Sequence, residues 1–331
     1  MKNKILAALI LFSSISASAG YSGVYGYDRW VPELISDYQD QLLQPTALEL
    51  TGQSNASQPQ VCAPVYSVAV AKRSLDVRYA LGYFDDSDGT DKIWNKINWG
   101  RSPSLDIEIY FALREALTKK CKNGRQVCGF HESGNPEMGS TVYSKTINLL
   151  GNSVDVNLTL THASASEAYD KNISVLKNRQ SMLTAQSDEN FFGGLARADI
   201  VFYNGHSRNG GGPDFNPPVL DSHGHPDYEG YYKVKRIGIK RVIEGIKKNP
   251  NQGLIYGSFS CFSASHFQGI LAKTDPKLRM ILSSDVIDYF KSLQASIGYL
   301  EGLMQGRCGE DLAQFAKRGS LYKEFKGVNF K

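Results

Sequence analysis

Two stretches decide the fold: Ala198-Asp199-Ile200-Val201-Phe202-Tyr203-Asn204-Gly205-His206 and Gly253-Leu254-Ile255-Tyr256-Gly257-Ser258-Phe259-Ser260-Cys261. Each is a short, almost uninterrupted apolar run rich in β-branched and aromatic residues, the composition of a strand buried on both faces. An amphipathic helical pattern lies between them around Arg236 to Lys247, and a third run, Leu278 to Leu282, ends at Ser283-Ser284-Asp285. Apolar strands alternating with helices form parallel sheets covered by helices on both sides. The expectation is an α/β fold, a three-layer α/β/α sandwich around a mostly parallel sheet.

Upstream of residue 198 the pattern changes. Thr141 to Leu149 and Val154 to Leu160 alternate apolar and polar residues and are joined by Gly151-Asn152-Ser153, which predicts a β-hairpin with one face exposed. Leu105, Ile109, Ala112, Leu113, Ala116 and Leu117 recur at helical spacing, so a helix capped by Ser104 is expected over Leu105 to Lys120. Helical spacing returns from Ser166 to Met182, with a short amphipathic turn from Asn190 to Arg197. Val65 to Val70 reads as a short buried strand, paired with Val77 to Phe84. The polar stretch Thr51 to Pro59 reads as a linker, so residues 20–60 form an N-terminal extension ahead of one domain over 61–331.

The first 19 residues carry Lys2 and Lys4, an apolar run from Ile5 to Phe12 and the small residues Ala17-Ser18-Ala19, the pattern of a secretory signal peptide. A periplasmic or secreted chain is therefore expected. No segment is apolar for long enough to insert stably in a membrane. The formal charge of +4, reduced by the loss of Lys2 and Lys4, gives no electrostatic argument for a nucleic-acid partner. The basic tail, Lys317, Arg318, Lys323, Lys326 and Lys331, reads as a solvated face.

An exported chain meets oxidising conditions, in which paired thiols form disulfides. The five cysteines are Cys62, Cys121, Cys128, Cys261 and Cys308. Cys121 and Cys128 flank the Asn123-Gly124 turn signal, and Cys62 and Cys308 could pair across the ends of the domain; other pairings are equally allowed. An odd count leaves at least one thiol over, and Cys261 is the candidate by position.

Side chains following the carboxyl ends of adjacent parallel strands converge on one crevice. His206 and Cys261 both hold that position, and a thiol becomes a strong nucleophile when an imidazole takes its proton. These stretches resemble the caspase–hemoglobinase fold, the group of cysteine peptidases that includes caspases, legumains, gingipains and clostripain. In that family one strand ends in a Gly-His or His-Gly step and the next in a small residue followed by the catalytic cysteine. Here the steps are Asn204-Gly205-His206-Ser207 and Phe259-Ser260-Cys261-Phe262, and the 55 residues separating His206 from Cys261 resemble the roughly 50 of caspases.

The resemblance implies an endopeptidase without a cofactor, acting on a protein or peptide through a thioester acyl-enzyme. His206 would be the base, Cys261 the nucleophile, and the backbone N–H groups of Cys261 and Ser207 the oxyanion site. Family members usually carry glycine where Ser207 stands, and Ser260 stands where they often have alanine. The region after the third strand, Ser283, Ser284 and Asp285, is the expected substrate-binding rim, where Asp285 and Asp288 could face a basic side chain.

Two other readings compete. Asp221, His223, His225 and Asp227 could ligate zinc in a metal-dependent hydrolase. Tyr228 stands where such a string expects a further histidine, and Pro217 and Pro218 place it on a long loop, which reads instead as a lid. The chain could also be a caspase-like binding module without turnover. The acidic turn Asp85 to Asp91 lacks the glycine position of a calcium loop and reads as an ordinary turn. His266 is a rival base five residues past Cys261, while His131 and His162 read as structural or surface residues.

Overall fold

The computed structural model describes residues 58–84, 91–94, 97–101, 105–122, 124–165, 177–223, 227–249, 253–287, 289–317 and 324–330. The signal-peptide, extension and acidic-turn assignments at residues 1–57 and 85–90, Ser104, Asn123, the 166–176 part of the expected helix, His225, Asp288 and the basic residues Arg318, Lys323 and Lys331 lie outside them.

Helix α1 (Gln58–Lys72) leads into strand β1 (Ser74–Leu81), followed by a separate two-stranded ribbon, β2 (Asp91–Trp94) and β3 (Ile97–Arg101), and helix α2 (Leu105–Thr118). Strands β4 (His131–Ser133), β5 (Ser140–Leu149) and β6 (Asn152–Thr161) come next, then helix α3 (Lys177–Asp188), extended by a wider turn over Glu189–Gly193. Strand β7 (Ile200–Asn204), helix α4 (Ile237–Lys248), strand β8 (Ile255–Phe259), helix α5 (Gly269–Thr274) and strand β9 (Arg279–Ser283) follow in alternation. Helices α6 (Tyr289–Met304) and α7 (Gly309–Lys317) and strand β10 (Phe325–Val328) complete the described chain.

Eight strands form one mixed sheet in the order β10-β9-β8-β7-β1-β6-β5-β4. The central five, β9, β8, β7, β1 and β6, are parallel, and antiparallel strands finish both edges. Successive strand residues alternate between two cores, as a two-residue period requires. Ile200 and Phe202 face one core with α1, α2 and α6; Val201 and Tyr203 face the other with α4 and α5. Helices on both faces of a mostly parallel sheet are the layers the alternating apolar runs predict. Gly257 is required by packing: a Cβ there would meet Phe202 Cδ1 at 2.6 Å and Phe259 Cε2 at 2.8 Å.

Two local expectations are corrected. Val65 to Val70 is helical, lying within α1, where Cys62, Val65, Tyr66 and Ala69 are buried at i, i+3, i+4 and i+7. A short apolar run has no period of its own, and the cysteine upstream completes the helical stripe. β1 pairs instead with β6 and β7, both parallel. The helix also begins inside the stretch read as a linker. In the β5–β6 hairpin the turn is Leu150-Gly151, and Asn152 and Ser153 already belong to β6. Leu150 (φ +50°) and Gly151 (φ +82°) both take left-handed backbone, the turn whose twist matches antiparallel strands.

Cys62 joins Cys308, with Cα atoms 5.5 Å apart, and Cys121 joins Cys128, at 5.2 Å; Cys261 is a free thiol. Among the described residues no helix is long and apolar enough to cross a membrane.

Candidate functional site

The chain leaves β1 toward β6 on one side and returns to β7 on the other, so the crevice of a switched parallel sheet falls at the carboxyl ends of these strands. Asn204, the last residue of β7, is paired with Phe259, the last residue of β8. His206 and Cys261 each lie two residues beyond that pair, on neighbouring strands about 4.8 Å apart. The ladder runs one step further, since the Gly205 N–H donates to Phe259 O at 3.3 Å. Both side chains are half-buried, which leaves them within reach of solvent.

His206 is oriented by groups far away in sequence. Its Nε2 lies 3.0 Å from the carbonyl of Phe84, three residues past β1, and the two rings pack with centroids 5.4 Å apart. A carbonyl only accepts, so Nε2 carries the proton in the neutral ring and the lone pair sits on Nδ1. The Tyr203 hydroxyl donates to His206 O at 3.0 Å. The same ring covers two glycines: a Cβ on Gly82 or Gly205 would lie 2.4 or 2.5 Å from its oxygen. The glycine before the histidine is therefore a consequence of close packing.

Cys261 stands where β8 turns toward the helical segment that starts at Ala264. Phe262, directly after it, has φ +50°, a conformation a bulky residue adopts only when its surroundings enforce it. Its N–H donates to Asp285 O at 2.9 Å, and its carbonyl accepts from His266 N–H at 3.0 Å and Ser265 Oγ at 2.9 Å. Beneath the turn lie the fully buried serines 258, 260, 263 and 283. Ser263 Oγ donates to Ser258 O and accepts from Ser283 N–H, both at 2.8 Å, while Ser283 Oγ donates to Ser260 O. The Cys261 sulfur is 3.5 Å from Ile287 O.

A second buried network fixes the strand ends from below. Asn204 Nδ2 donates to the Tyr79 hydroxyl at 3.2 Å, its carbonyl oxygen accepts from Ser292 Oγ, and Ser292 Oγ reaches Phe259 O at 3.0 Å. Burial pushes the Tyr79 hydroxyl up to about 12, so it stays a neutral partner of Ser296 and Asn204. β1, β7, β8 and α6 are thus bound together under the two candidate catalytic residues.

The remaining sequence-derived residues divide clearly. Ser207 is buried, in right-handed helical backbone (φ −74°, ψ −8°), and its carbonyl accepts from Gly210 and Gly212. Among the described residues, neither the Ser207 N–H nor the Cys261 N–H donates to another group of the chain. Ser283 is wholly buried in the serine cluster, so it supports the Cys261 turn and offers no surface to a substrate. Ser284 is exposed but directed to the sheet edge, with its N–H and Oγ both on Glu324 O. Asp285 is exposed, and its carboxylate accepts from the N–H of Val286 at 2.7 Å.

In the proposed metal string, Asp221 accepts from His223 N–H at 2.8 Å and Asp227 caps the next helical turn through Gly230 N–H at 2.7 Å. Among the described residues no group of three or more His, Cys, Asp and Glu side chains is arranged to hold a metal. His266 abuts Gly210, whose Cβ would lie 3.1 Å from its Nδ1, and burial together with Arg236 holds its pKa below the usual histidine value. His131 is exposed on β4, and His162 is buried against Tyr110.

The sequence reading missed Phe84, Tyr203 and Arg208. Arg208 is buried, donates to Tyr83 O at 2.7 Å and holds its guanidinium over the Tyr232 ring at 5.2 Å, pinning the 228–235 segment over the histidine loop. The glycines 210, 211 and 212 were the signal in the sequence of an unusual turn, in which Arg208 takes φ +48°. Comparison of the chain with family models, curated proteins and solved structures finds no match.

Proposed function

We propose that this chain is an exported cysteine endopeptidase of the caspase–hemoglobinase type, with His206 as base and Cys261 as nucleophile. The observation that carries the reading is the shared register: an oriented imidazole and the free thiol stand at the same step past neighbouring parallel strands.

Nδ1 of neutral His206 takes the thiol proton of Cys261, and the thiolate attacks the carbonyl carbon of the scissile peptide bond. The N–H groups of Cys261 and Ser207, neither of which donates to another group among the described residues, receive the oxyanion. Collapse of the tetrahedral intermediate breaks the C–N bond, and imidazolium Nδ1–H protonates the leaving amine. The thioester is hydrolysed when His206 deprotonates a water, whose attack releases the carboxylic acid and restores the thiol. Phe84 O holds the imidazole in the required tautomer and stabilises the Nε2–H of the imidazolium, the orienting role of a third group.

Cleavage of a peptide library by the wild type and by Cys261→Ala tests the proposal. Loss of all hydrolysis in a folded variant supports it; hydrolysis that persists and is abolished by a chelator refutes it in favour of a metal-dependent hydrolase.

A further inference from the structure

The described surface carries few large exposed apolar side chains, and two of them flank the candidate nucleophile. Phe262 follows Cys261 and is 39 % exposed; Val286, 60 % exposed, precedes Ile287, whose carbonyl touches the sulfur. The Phe262 N–H to Asp285 O bond ties the two segments side by side. A phenylalanine held in left-handed backbone and left partly exposed to water is unfavourable on both counts. Surrounding hydrogen bonds at its N–H and its carbonyl enforce the conformation. Among the described residues, the carboxylate of this rim is that of Asp285, which accepts from the N–H of Val286 and is exposed, where a charge discriminates weakly.

We infer that Phe262 and Val286 are specificity-determining residues, selecting an apolar side chain, such as that of leucine or phenylalanine, on the acyl side of the scissile bond. The inference rests on the cysteine-peptidase reading and deepens it. In the thioester the acyl-side α-carbon is separated from the sulfur only by the carbonyl carbon. Its side chain therefore lies within reach of the residues next to Cys261 and covers the ring and the valine from water. Burying one such side chain discriminates by about 10- to 100-fold.

The test uses peptidyl acyloxymethyl ketones that differ only in the residue beside the warhead: Leu, Phe, Arg or Asp. Rates of Cys261 labelling are compared in the wild type, Phe262→Gly, which suits the positive φ, and Val286→Ser. The Leu and Phe probes should react at least tenfold faster than the Arg and Asp probes in the wild type, and the ratio should fall in both variants. Faster labelling by the Arg or Asp probe, or a ratio unchanged in both variants, overturns the inference and leaves the peptidase standing. Labelling by none of the probes, while iodoacetamide alkylates the folded protein, overturns the peptidase reading and this inference together.

Discussion

Gly205→Ala should damage the candidate site without touching a reacting atom. The new methyl would lie 2.5 Å from the Tyr203 hydroxyl oxygen, 2.6 Å from its Cζ and 3.2 Å from Gly82 Cα, each inside ordinary contact distance. Tyr203 cannot retreat: it is fully buried, with Phe191 at 5.6 Å and Phe215 at 5.8 Å between ring centroids. Overpacking of this kind costs about 1–3 kcal/mol, and loss of the hydrogen bond to His206 O adds about 1 kcal/mol. A total near 3 kcal/mol lowers Tm by roughly 6–12 °C in a domain of this size. A shift of the His206 loop by about 1 Å would cost on the order of 100-fold in rate. Scanning calorimetry and the rate of the proposed Cys261-dependent hydrolysis measure the two effects separately. Tyr203→Leu in the same chain removes the hydroxyl and the ring edge, so the double variant should be more stable than the two single losses sum to. A Gly205→Ala protein within about 0.5 kcal/mol of wild type and equally active would refute the account of why glycine precedes the histidine.

Other outcomes follow from buried groups. Burial, with Arg179 nearby, pushes the His162 imidazole down to about 3, so the unfolded chain binds its proton first and stability drains away as pH falls from about 6.5 toward 3. Asp106, pushed up to about 6 by burial, works oppositely, its penalty growing as pH rises from about 4 to 6. Urea unfolding between pH 7 and 4.5 should thus show His162→Phe gaining about 3 kcal/mol relative to wild type; parallel curves would contradict the assignment. The Cys62–Cys308 bridge closes a loop with a sequence separation of 246, so its removal by paired alanines should cost about 5 kcal/mol in chain entropy, and a loss under about 1 kcal/mol would count against it. Glu301 is buried and accepts from Gln126 N–H at 2.9 Å, Val127 N–H at 2.6 Å and Gln305 Nε2 at 2.6 Å. Glu301→Leu strands these donors and should destabilise by about 3–5 kcal/mol, with the Cys121–Cys128 loop exchanging its amide hydrogens faster.

The sequence alone determined the parallel strands, because a run buried on both faces must be apolar throughout. It also determined the β5–β6 hairpin, whose alternation matches the two-residue period, and the placement of His206 and Cys261 just past strand ends. Tertiary structure decided what local pattern does not encode. Val65 to Val70 joined a helix because Cys62, bonded to Cys308 at the far end of the chain, extends the buried stripe. Ser283, read as a substrate contact, became a buried support because the turn at Cys261 needs partners from the next strand. The orienting carbonyl of Phe84 lies 122 residues from His206, and any residue type carries such a carbonyl, so no side-chain pattern could have announced it. Only the strand order, with β1 beside β7, brings it there.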